Sequence, residues 1–152
     1  MQGLHVDVFR ELKINHLFWV TLLAWTIAQT IKVFIGVIQT KKFDFRWFVG
    51  TGGMPSSHAA GASAMAMTAG FDYGFHSGVF ALAVFFAIVT MFDAQGVRRS
   101  AGSQARILNK LMEDIYWKGK IHEARLKELI GHTPLQVISG SLLGILISII
   151  FS

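Results

Sequence analysis

"GGMPSSHAAGASAMAMTAG", residues 52–70, sets a proline, two serines and a histidine directly before an uncharged run of alanines, glycines and methionines. A helix made of such small side chains has little bulk of its own, but in lipid it lets neighbouring backbones approach closely. Pro55 suits the first turn of that helix, because its missing N–H would have no intrahelical partner there. The serines and the exposed backbone N–H groups around it form a helix start able to bind an anion, and His58 falls in the same turn. The stretch therefore reads as a membrane helix whose polar end is a site.

The rest of the chain fits this reading. Its 152 residues are 53% hydrophobic and 15% charged, which indicates a single membrane-embedded domain over 1–152. Apolar runs at 17–39, 77–92 and 135–151 flank the small-residue segment at 56–72, so four transmembrane helices are expected in an all-α integral membrane bundle. The first run follows "MQGLHVDVFRELKINH", which has both charge signs and no small-residue cleavage site, and is read as a retained anchor. Between the last two runs lies a polar stretch, 96–131. There Ile107, Leu108, Leu111 and Ile115, then Leu126, Leu129 and Ile130, recur at helical spacing. This is the pattern of an amphipathic hairpin lying on the membrane or capping the bundle.

Absence of cysteine excludes disulfides, thiol catalysis and thiolate metal sites. The net charge of +5 favours anionic partners. The basic residues form no stripe interleaved with aromatics, so nucleic acid is not expected as a partner. Four spans place both termini on one side and the loops 41–55 and 96–131 on the other. Those loops hold most of the Lys and Arg, and the positive-inside rule puts them in the cytoplasm. A phosphate site would gather the same cations for its own reasons.

"GHTPLQVISG", 131–140, repeats the logic of the opening stretch. Thr133 is placed as an N-cap, Pro134 as the first helical residue, and His132 just outside. Ala62, Ala66 and Gly70 repeat every four residues on the second span, as do Gly140, Gly144 and Ser148 on the fourth. Packing these rows together would bring His58 near His132, although each row could equally face another partner. Lys32 lies deep in the first span, where an ionisable residue either faces a functional interior or snorkels to the surface. Asp93 ends the third span, and Arg98 and Arg99 emerge on the same side as both histidines.

Two histidines with Lys and Arg about a helix N-terminus suit phosphoryl transfer. One imidazole attacks phosphorus, the other protonates the leaving oxygen, and the cations stabilise the equatorial oxygens. No carboxylate cluster suits magnesium and no P-loop is present, so a reaction without metal or cofactor is expected. A zinc site from His58, His132 and Asp93 is the competing reading.

"MPSSH" resembles the P-S-G-H motif of type-2 phosphatidic acid phosphatases, relatives of vanadium haloperoxidases. "GHTPLQVISG" is similar to the stretch around that family's nucleophilic histidine, usually H-x-P-x-D-V-x-x-G. Together with "IKVFIGVIQTKKFDFRW", "FDAQGVRR" and "KELIGHTPL", the set resembles the small divergent branch of the family, over about residues 28–144. The resemblance implies that His132 is the nucleophile forming a phosphohistidine and His58 the acid for the leaving alcohol. Ser56 and Ser57 would hold phosphate oxygens, and Lys32 and Arg46 would stand for the first motif's cations.

The chain departs from the pattern in three places. Trp47, not proline, follows Arg46, at wider spacing from Lys32. Arg125 and Leu126 stand where the third motif has Ser-Arg, so Arg98 or Arg99 would supply the missing guanidinium. Gln136 replaces the carboxylate expected four residues after His132. It either accepts from the imidazole or closes a capping box with Thr133, and Asp93 or Glu128 could supply the missing charge.

The function expected is hydrolysis of a lipid phosphomonoester such as phosphatidylglycerophosphate or phosphatidate, at the cytoplasmic face of a bacterial inner membrane. An isoprenoid pyrophosphate phosphatase, which would prefer the opposite face, and a non-catalytic anionic-lipid-binding or transport protein are the alternatives. Beyond the bilayer and substrate, a homodimer is the expected partner. His5, His16, His76 and His122 are expected to be solvent or interface residues without partners.

Overall fold

The structure, a computed structural model, describes residues 8–41, 53–116 and 131–152. It comprises α1 (Val8–Lys13), α2 (His16–Thr40), α3 (Ser57–Tyr73), α4 (Gly78–Gln95), α5 (Val97–Tyr116) and α6 (Pro134–Phe151), with no strand among the described residues. Local chemistry sets the helix starts. Side-chain oxygens of Asn15, Ser56, Ser77 and Thr133 each accept a backbone N–H from the first turn of the helix that follows. Hydroxyls within α2 turn back onto their own helix, Thr26 donating to Leu22 O at 2.7 Å and Thr30 to Thr26 O at 2.8 Å. Such bonds keep polar groups satisfied where lipid offers no partner.

Helices α2, α4 and α6 are long and apolar enough to cross a membrane, one fewer than the four spans expected. The difference is α3, a 17-residue helix whose eleven buried residues are all Ala, Gly, Ser or Thr. It packs against α2, α4 and α6, which carry the large apolar side chains outward. Thus Phe92, Leu82, Leu142 and Ile150 are exposed while the core is largely alanine and valine. A bundle with its bulk outside and its small residues inside is a membrane bundle.

Small residues do join α3 to α6, but along a different row of α3 from the one anticipated. A Cβ at Gly140 would overlap the carbonyl of Ser56, and one at Gly144 would overlap that of Ala60. Further along, Thr68 and Ser148, both fully buried, share a 2.8 Å hydrogen bond. The facing row is therefore Ser56, Ala60 and Thr68. Ala62 and Ala66 pack instead on Ala83 and Ala87 of α4, and Gly70 lies under the ring of Phe75.

At the end of the bundle opposite His58 and His132, His16 is not the unpartnered residue expected. Its Nδ1 lies 2.9 and 3.1 Å from the two carboxylate oxygens of Asp72, and its Nε2 lies 2.8 Å from Phe151 O. One ring thus ties the start of α2 to the ends of α3 and α6, and places both ends of the bundle's chain path on one side. Amphipathic α5 leaves Ile107, Leu108 and Leu111 exposed, uncovered by any described element. The hairpin's second half, with Leu126, Leu129 and Ile130, lies outside the described residues.

Candidate active site

The starts of α3 and α6 are stitched together through their backbones. Ser56 N donates to Gln136 O at 2.9 Å, and His132 N donates to Ala94 O, at the end of α4, at 2.9 Å. Pro55 sits before the helix rather than inside its first turn, because Ser56 takes the N-cap position and accepts from Ala59 N at 3.3 Å. These contacts bring the His58 and His132 rings to 6.2 Å between centroids, tilted by 59°. His132 is 1% exposed; His58 is half-buried.

Gln136 is both cap and ring partner. Its Oε1 accepts from Thr133 N at 3.0 Å, while Thr133 Oγ1 accepts from Gln136 N, closing the capping box. The same Oε1 lies 3.2 Å from His132 Nδ1. A backbone N–H can only donate, so the atom it meets is the amide oxygen. That oxygen can only accept, so Nδ1 carries the proton and the neutral ring keeps its lone pair on Nε2.

Lys32 is 8% exposed, so it does not snorkel to the surface. Its Nζ donates to Gln29 Oε1 at 2.9 Å and reaches Ser57 Oγ at 3.4 Å. Its stem runs beside Gly53, where a Cβ would come within 3.0 Å of Lys32 Cγ. Gly53 also has φ +85°, a conformation that favours glycine. Lys32 and Ser57 are thereby joined next to His58. Ser56 is instead occupied as a cap beneath Gly140.

Asp93 is half-buried in the last turn of α4, one residue before the carbonyl that receives His132 N–H. Arg98 and Arg99 lie in the first turn of α5, at the same end of the bundle. Arg46 and Glu128 lie outside the described residues. Among the described residues no three or more His, Cys, Asp or Glu side chains converge as a metal site, so His58, His132 and Asp93 do not form the zinc cluster considered above. Sequence reasoning missed Gln29 and Gly53. Gln29 was legible as a second polar residue three positions before Lys32 in an apolar run.

The family model described as the Divergent PAP2 family matches residues 13–147. The uncharacterized membrane protein YuiD of Bacillus subtilis (strain 168) is 40% identical over 153 residues, covering 93% of this chain and 97% of that protein. No solved structure matches the chain.

Proposed function

We propose, because the chain belongs to the Divergent PAP2 family and sets two histidines side by side at paired helix starts, that it is an integral-membrane lipid-phosphate phosphatase. The observation that carries the reading is the 6.2 Å separation of the His58 and His132 rings, with Lys32 reaching Ser57 beside them. In this mechanism His132 Nε2 attacks phosphorus, the bond from phosphorus to the lipid alcohol oxygen breaks, and His58 gives that oxygen its proton. His58 then takes a proton from water, which attacks the phosphohistidine and releases phosphate. Lys32 and Ser57 bind the equatorial oxygens, with Arg46, Arg98 and Arg99 as the guanidinium candidates.

Phosphatidylglycerophosphate or phosphatidate is the proposed substrate, at the cytoplasmic face of a bacterial inner membrane. The charge bias of the loops on the site side supports that orientation. The test is phosphate release by the detergent-solubilised protein over a panel of lipid phosphates, with and without chelator. Release from phosphomonoesters, insensitive to chelator, is expected. Release only from isoprenoid pyrophosphates would favour the alternative substrate class. Tight binding of anionic lipid without turnover would favour a binding or transport protein, the reading that the uncharged Gln136 beside His132 supports.

A further inference from the structure

We propose that Gln29 is a positioning residue that holds the Lys32 ammonium at the phosphate end of the site without neutralising it, fitting that end to a phosphate dianion. The inference rests on the placement of Lys32 in the phosphate site given above.

Gln29 and Lys32 lie three residues apart on α2, so they share a face of the helix. Both are buried, at 4% and 8% exposure. An ammonium has three donors and no acceptor. One is directed at Gln29 Oε1 at 2.9 Å and one at Ser57 Oγ at 3.4 Å, which leaves the third for a ligand oxygen. Ser57, accepting from Lys32, keeps its own O–H to donate to the same ligand. Gly53 flanks the aliphatic stem, so the head group is fixed by Gln29 and the stem by the backbone before α3.

The choice of an amide is the informative part. A carboxylate at position 29 would hold Lys32 in the same place, but would cancel its charge as a buried ion pair. The amide meets the hydrogen-bonding need of the ammonium and leaves the positive charge available to the ligand. His132 has the same kind of neutral partner in Gln136. Both groups that would face phosphate are thus oriented by amides, and the site keeps its positive potential.

Inorganic phosphate and the full-length protein in detergent are sufficient for the test, by equilibrium binding and by the phosphate-dependent rise in Tm. Gln29→Glu should keep a ligand-free Tm close to that of the wild type and weaken phosphate binding by about tenfold, equivalent to about 1.4 kcal/mol. Gln29→Leu should also weaken it, and that loss should vanish in a Lys32→Met background, since Gln29 acts through Lys32. Wild-type affinity in Gln29→Glu would overturn the proposal. So would a Gln29→Leu loss that persists without Lys32, or a wild-type protein that binds no phosphate. A protein that binds phosphate in this pattern but hydrolyses no lipid phosphate would sink the phosphatase reading and leave Gln29 in its role.

Discussion

The carbonyl of Ala60 lies against Gly144 with no room for a Cβ between them. Backbone meets backbone there, so neither side can yield by changing a rotamer. Gly144→Ala, and Gly140→Ala one turn nearer the site, should each separate α3 from α6. Overpacking commonly costs about 1–3 kcal/mol, and backbone contact places these changes at the upper end. Gly78, with open space around it, is the control: Gly78→Ala should leave Tm within about a degree while the other two lower it markedly, as thermal unfolding in detergent would show.

The paired histidines have separable expected effects. His132→Ala should abolish phosphate release by the folded protein, lower Tm because the ring it removes is fully buried, and eliminate any acid-labile phosphoprotein trapped during turnover. His58→Ala should slow alkyl phosphates far more than activated aryl phosphates, whose leaving groups need no proton. Equal losses on both substrates would assign His58 a structural role.

Gln136 combines two contacts that a substitution can pull apart. Gln136→Ala removes the capping acceptor and the ring partner together, so Tm and the rate should both fall, the rate by about tenfold, or about 1.4 kcal/mol. Gln136→Glu keeps an acceptor for Thr133 N and for Nδ1 while adding a charge. It should preserve Tm and alter the pH–rate profile, because a carboxylate favours the cationic imidazole. An unchanged profile would show that the 3.2 Å contact is not used in catalysis.

Why the histidine pair was legible and its supports were not follows from the residues. Thr133 and Pro134 mark a helix start by local chemistry alone, and the Gly140–Gly144–Ser148 row marks a close-packing face. Helix α3 has small residues along more than one face, so its periodicity cannot select between the row through Ala62 and the row through Ala60. Thr68, opposite Ser148, was the available discriminator. The apolar content of 56–72 likewise suggested a fourth span, although α3 is shielded by the other three helices. His16 was misread because its partners stand 56 and 135 residues away, beyond any local pattern.

His16 should act as a staple at the end opposite the site. His16→Ala removes bonds to Asp72 and Phe151 together and should lower Tm by a few degrees. Asp72→Asn should lower it less, since an amide oxygen can still accept. Phosphate binding should be unaffected by either change, and a loss of binding would mean that the two ends of the bundle are coupled.

Topology is accessible because the chain has no cysteine. Gln104→Cys, on the exposed part of α5, should react with an impermeant thiol reagent only after cells are opened. Labelling of intact cells would place the site end outside and favour the pyrophosphate reading.

The shortness of α4 and α6 bears on the surrounding bilayer. Helices α4 and α6 have 18 residues each, or about 27 Å at about 1.5 Å per residue. A typical hydrocarbon core is about 30 Å thick. A bilayer that thins to match these two helices would draw the headgroups of adjacent lipids down towards the level of His58 and His132. Reconstituted into vesicles of increasing acyl-chain length, the protein should work best in the thinner bilayers and lose turnover as the mismatch grows.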